Sequence, residues 1–271
     1  MNLIKYQYQN IGENKIAYKR QGEGQTILFI HGIVTYSFIW RNIAPSFAAK
    51  NDVITLDLLG CGFSDKPFNQ DLSLKKQAQI IHAFCSKLKL QNIILVCHDI
   101  GGGIGQILAV NYPEYFSKLV LINSIGYNYW PVQPIISLRI PIIRQLIISV
   151  LDMGMLSLII KRGLYYKNNL NSELLTLFSL PLKNVDGRKS FLQFIKSLNN
   201  KNLVEIDTQI SELNIPTLII RGAADIYLSE AICNRLHTQI KNSKLVTIKT
   251  GGHFIQEDEP ELISSYIKSF I

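Results

Sequence analysis

The chain of 271 residues carries 28 Lys+Arg against 20 Asp+Glu, a formal net charge of +8, with 47% apolar and 18% charged residues. That apolar share excludes a disordered chain, and the length allows one large core or two modest ones. Four cysteines at 61, 85, 97 and 233, without CxxC spacing, exclude a disulfide framework and point to a reducing, cytoplasmic setting.

The first ten residues, MNLIKYQYQN, lack the basic stretch and apolar run of a signal peptide. Lys15–Lys19 and Thr26–Ile30 read as strands, the second ending abruptly at His31-Gly32. Residues 38–49 place apolar side chains at helical spacing, with Pro45 against an unbroken helix. Val53–Leu56 is a short strand, and Leu74–Leu88 has the period of a surface helix. Strands at Ile93–Cys97 and Leu119–Asn123 flank a glycine-opened helix from Ile100 to about Tyr112. The same alternation returns with a strand at Thr217–Arg221, a helix at Ser229–Ile240, a strand at Lys244–Ile248 and a last helix from Pro260. Short strands alternating with helices predict a parallel sheet covered on both faces.

Residues 131–209 differ. They show helical segments at Ile136–Leu151, Leu156–Leu164, Asn171–Phe178 and Arg188–Leu198, and no parallel-strand signal. The expectation is an α/β core of residues 1–130 and 210–271 carrying a helical cap at 131–209. The most apolar stretch, Ile140–Leu164, is broken by Arg144, Asp152, Lys161 and Arg162, short of the roughly 18 uncharged residues a span requires. Stable membrane insertion is therefore not expected. The cap holds ten Lys+Arg against five Asp+Glu, so much of the basic excess falls there. These charges are spread over several helices without interleaved aromatics, which argues against nucleic acid as a partner.

Asp99 is the sharpest chemical signal. In Cys97-His98-Asp99-Ile100-Gly101-Gly102 a strand passes into a helix within two or three residues, and small residues let the backbone fold back beneath the side chain. This is the turn that lifts a nucleophile above a sheet, with aspartate in the usual serine place. Asp225 follows the strand at 217–221, and His253 follows the strand at 244–248. In a parallel sheet both loops emerge at the same edge as Asp99. Taken singly, the aspartate reads as a helix cap and the histidine as structural; the chain order nucleophile, acid, histidine outweighs those readings. His31-Gly32-Ile33 ends a further strand there, and the N–H groups of Ile33 and Ile100 are candidates for an oxyanion hole.

Four segments resemble those of haloalkane dehalogenases and epoxide hydrolases, the aspartate-nucleophile branch of the α/β-hydrolase superfamily. His31–Asn42 is similar to HGxPTSSxxWRN, and Asp57–Pro67 to DLxGxGxSDKP. His98–Gly102 and Gly252–Asp258 match the other two signatures. The resemblance covers about 15–130 and 213–271. It implies the α/β-hydrolase fold, with a mostly parallel eight-stranded sheet, helices on both faces and a helical cap insertion. It also departs from the pattern: Ile100 and Ile33 stand where dehalogenases place halide-binding tryptophan and asparagine. Epoxide hydrolases take ring-opening tyrosines from the cap, where this chain offers Tyr165 and Tyr166.

The expected chemistry is displacement at carbon by Asp99, then hydrolysis of the resulting ester by water activated by His253, with Asp225 orienting the imidazole. The partners are a small, largely apolar substrate and water, on a monomer or homodimer. His31, Tyr127, Trp130, Tyr165 and Tyr166 are candidates for substrate contact. No cofactor or metal is expected, because the five histidines show no ligand spacing. Two other readings are an α/β-hydrolase acting on ester or carbon–carbon bonds, and a non-catalytic binding protein on the same fold.

Overall fold

A computed structural model of the protein describes residues 5–129 and 153–271. Its eight strands are β1 (Gln7–Ile11), β2 (Asn14–Gln21), β3 (Gln25–Ile30), β4 (Asn51–Leu56), β5 (Ile93–Asp99), β6 (Phe116–Ser124), β7 (Thr217–Gly222) and β8 (Ser243–Ile248). They form one sheet in the order β1-β2-β4-β3-β5-β6-β7-β8. β1 and β2 pair antiparallel, β2 joins β4 antiparallel, and every later pairing is parallel.

Alternation along the central strands divides the apolar side chains between two clusters. Leu28, Ile30, Leu95, Cys97, Leu119 and Leu121 fall in one; Ile27, Phe29, Ile94, Val96, Val120 and Ile122 fall in the other. The first cluster takes the apolar faces of α1 (Leu74–Lys87) and α2 (Ile100–Asn111). Because both faces are covered, these strands are nearly continuous Val/Ile/Leu runs, which made them readable in the sequence.

The described helices of the 131–209 region are α3 (Met153–Gly163), α4 (Ser172–Ser179), α5 (Val185–Ser197), α6 (Lys201–Glu205) and the start of α7 (Asp207–Ile210). Leu156, Ile160, Leu174 and Phe178 join one core cluster, while Phe191, Phe194, Ile195 and Leu203 join the other. Beyond it lie α8 (Glu230–Gln239), α9 (Ile255–Asp258) and α10 (Pro260–Phe270).

Three expectations need correction or stand apart. Residues 38–49 are not one helix but two 3₁₀ turns, Ser37–Trp40 and Ala44–Phe47, since Pro45 supplies no N–H to continue an α-helical ladder. β1 was not anticipated, because its largely exposed QYQNI sequence has no buried alternation to betray it. The expected helix at Ile136–Leu151 lies outside the described residues.

Candidate active site

Asp99 is the last residue of β5 and directly precedes α2, with φ 52° and ψ −118°. A non-glycine residue there stores about 1–3 kcal/mol of backbone strain, and tight packing maintains it. A Cβ at Gly101 would lie 2.6 Å from the His31 carbonyl oxygen and 2.7 Å from that of Ile30; one at Gly32 would lie 2.7 Å from the Asp99 Cβ. These close approaches fix the turn so that the carboxylate sits over the ends of β3 and β5.

The Ile33 N–H donates to Asp99 Oδ2 at 2.8 Å, and Ile100, the first residue of α2, follows Asp99 directly. One of the two expected oxyanion donors is thus engaged with the side chain itself. Burial raises the Asp99 pKa above the ordinary carboxylate value, against the pull of His253 and of the two N–H groups.

Asp225 lies in the loop after β7, and His253 in the loop after β8. The His253 Nδ1 stands 3.0 Å from Asp225 Oδ2, and Asp225 Oδ1 accepts the N–H groups of Tyr227 at 2.9 Å and Leu228 at 3.1 Å. Burial works to raise the Asp225 pKa, but His253 and these hydrogen bonds hold it below its ordinary value. Burial likewise works to lower His253, and the Asp225 carboxylate, its hydrogen bond and the Asp99 charge outweigh it, leaving the imidazole raised. With Asp225 accepting, Nδ1 carries a proton and Nε2 is the basic nitrogen.

Two residues that the sequence did not single out brace this set. Asn123, at φ 39°, donates through Nδ2 to the carbonyls of Gly252 at 2.9 Å and His253 at 3.0 Å, and accepts the Gly222 N–H at 2.8 Å. One amide therefore joins the end of β7 to the histidine loop. His98 donates from Nε2 to the His253 carbonyl at 2.9 Å, and burial pushes its pKa down to about 3, so it is neutral. Tyr227 adds a tie outward, donating its hydroxyl to the Ile159 carbonyl on α3 at 2.8 Å.

Several expected substrate contacts are placed elsewhere. His31 is fully buried: its Nε2 accepts the Leu58 N–H at 3.0 Å, which leaves Nδ1 protonated to donate to the Gly32 carbonyl at 2.8 Å. With both nitrogens engaged and burial pushing its pKa down to about 4, His31 braces the loops after β3 and β4. Tyr127 is also buried, its ring beneath the Arg235 guanidinium at 3.9 Å and its hydroxyl on Gln239. The pull of α8 turns it from the expected role. The Tyr166 hydroxyl is directed to Glu259 Oε1 at 3.3 Å. Tyr165 is 42% exposed, and its backbone packs against Gly252, the residue before His253. Trp130 lies outside the described residues.

Among the described residues no three His, Cys, Asp or Glu side chains gather as a metal site. No helix among them is long and apolar enough to cross a membrane. The four cysteines are free thiols, and burial raises the pKa of each.

Comparison with known proteins agrees with this architecture. Residues 25–138 match the α/β hydrolase fold family. The chain is 29% identical over its full length to the uncharacterized hydrolase YugF of Bacillus subtilis, covering 94% of that protein. It is 27% identical to a cis-3-alkyl-4-alkyloxetan-2-one decarboxylase of Shewanella oneidensis, over 95% of this chain and 85% of that one. Haloalkane dehalogenases and epoxide hydrolases stand among its further relatives. A solved α/β hydrolase fold protein from Burkholderia ambifaria superposes with a TM-score of 0.90 at 24% identity, over 97% of each chain.

Proposed function

We propose that this hydrolase of the α/β fold, related to haloalkane dehalogenases and epoxide hydrolases, turns over a small, largely apolar substrate through an ester formed on Asp99. The observation that carries the reading is the hydrogen bond from the Ile33 N–H to Oδ2 of Asp99, on a strand-to-helix turn that holds this carboxylate beside His253. With Oδ2 held, the other oxygen is left to attack an electrophilic carbon. The carbon–oxygen bond forms as the bond to the leaving atom breaks, and the electron pair departs with that atom. The held oxygen becomes the ester carbonyl, already in the hole where negative charge develops when water adds. His253 takes the proton from that water, and the collapsing adduct releases the alcohol and restores the carboxylate. Each N–H contributes about 3 kcal/mol to that second step.

Ring-opening of an epoxide ranks above loss of a halide. Ile33 and Ile100 present no side-chain donor to a departing anion, and the Ile33 N–H is engaged with Asp99. An opened ring keeps its leaving oxygen tethered and needs only one proton, for which Tyr165 is the candidate donor. Another reading, ring-opening of a strained lactone, is favoured by the similarity to the oxetan-2-one decarboxylase.

Two measurements test the covalent route. A panel of epoxides, alkyl halides, oxetan-2-ones and activated esters identifies the substrate class. With a turned-over compound, His253→Gln is expected to accumulate an adduct on the peptide containing Asp99. Turnover of wild-type enzyme in ¹⁸O-water without label entering Asp99 would overturn the ester mechanism.

A further inference from the structure

The described cap segment and the catalytic histidine share one carboxylate. Asp258 Oδ2 accepts the N–H groups of Tyr165 at 2.9 Å and Gly252 at 2.9 Å, and its Oδ1 accepts the N–H of Tyr166 at 3.0 Å. Two of these donors belong to the segment that leaves α3, and the third belongs to the residue before His253. On the other side of His253, the Phe254 N–H donates to the Gly163 carbonyl at 3.1 Å. The two segments run in direct backbone contact: a Cβ at Gly252 would lie 2.7 Å from the Tyr165 nitrogen. His253 thus hangs between ties to the sheet, through Asn123 and His98, and ties to the 163–166 segment, through Asp258 and Phe254.

We propose that Asp258 is a positioning residue that makes seating of the 163–166 segment a condition for holding His253 in place to activate water. The proposal rests on the ester mechanism above and concerns its second step. The chemistry of the donors supports aspartate specifically. Three N–H groups converge on two oxygens, and an ionised carboxylate is acceptor-only. An asparagine could keep its one carbonyl oxygen on the Tyr165 and Gly252 N–H groups, whereas an alanine removes all three ties. Loss of the Gly252 tie would free the residue next to His253 while Asp99, Ile33 and Ile100 stay as they are. Ester formation needs only those three; ester hydrolysis needs His253.

The test compares wild type, Asp258→Ala and His253→Gln in rapid quench with the best epoxide of the panel, corrected for folded fraction. Asp258→Ala is expected to form the Asp99 ester within about threefold of the wild-type rate but to hydrolyse it roughly 10–100-fold more slowly, the cost of a displaced catalytic group. The ester then accumulates at steady state. A purely structural role would lower stability and leave that ratio unchanged, and that result overturns the proposal. If His253→Gln traps no ester, the mechanism falls rather than the latch, and hydrogen exchange decides the latch. In wild type the Tyr165, Tyr166 and Gly252 amides are expected to exchange through one common opening. Independent opening of Gly252 overturns the proposal, and this measurement stands even if Asp258→Ala fails to fold.

Discussion

His253 carries the clearest consequence for pH. In the proposed mechanism it works as a general base in its neutral form, so activity is expected to rise as pH passes upward through its pKa. Asp225 and Asp99 raise that pKa above the usual value near 6.5. In Asp225→Asn the carboxylate is gone and burial dominates, so the acid limb of the kcat profile is expected to move to lower pH. The plateau should fall on the order of 10²–10⁴-fold, because the ring loses its orienting partner. A limb that stays in place in a steady-state pH series would contradict this account. The turn at the end of β5 and the loops after β7 and β8 were legible in the sequence because β/α alternation sends them all to one edge. The packing of His31 and Tyr127 was not, because their partners, the Leu58 N–H and α8, are distant in sequence and leave no local signal. Asn123 and Asp258 were hidden likewise, since both bind backbone groups that no spacing rule marks.

Two packed elements invite mutation. Gly101 opens α2 where the helix meets the end of β3, and a methyl group there would press on backbone carbonyls that cannot rotate away. Gly101→Ala is expected to cost about 1–3 kcal/mol and to reduce activity by displacing the Asp99 turn. Urea denaturation and the initial rate measure the two effects. Arg41, just after the first 3₁₀ turn, grips Glu257 of α9 with bonds of 2.6 and 2.8 Å, and the Glu257 side chain is 4% exposed. Arg41→Ala strands that carboxylate, at an expected cost of about 2–3 kcal/mol, less than a fully buried pair because the arginine side chain is itself about one-third exposed. Adding Glu257→Gln should recover part of the loss in the same assay. The central strands were readable from apolar runs alone. β1 and the short α6 and α7 were not, being too polar or too brief to show a period.

Length and composition left open one core or two. The sheet resolves this into two clusters, one per face, and the 153–210 segment contributes to both. Leu203 and Phe194 pack with the α1–α2 side, Phe178 with Phe254 on the opposite side. A segment that shares both cores is not a detachable module. Thermal unfolding is therefore expected to be a single transition, with far-UV circular dichroism and buried-Trp40 fluorescence changing together. Two separated midpoints would show the helices melting as an independent unit.

The hydrogen bond from Ile33 to Asp99 also bears on inhibition. Organophosphates and fluorophosphonates disable serine hydrolases by phosphorylating a hydroxyl while the phosphoryl oxygen settles into an empty pair of N–H groups. Here the Ile33 N–H already binds the protein's own carboxylate, and the turn carries Asp99 where those enzymes carry serine. Fluorophosphonate labelling of a cell extract should therefore pass over this protein while marking serine enzymes of the same fold, and alkylating electrophiles are the reagents suited to finding it.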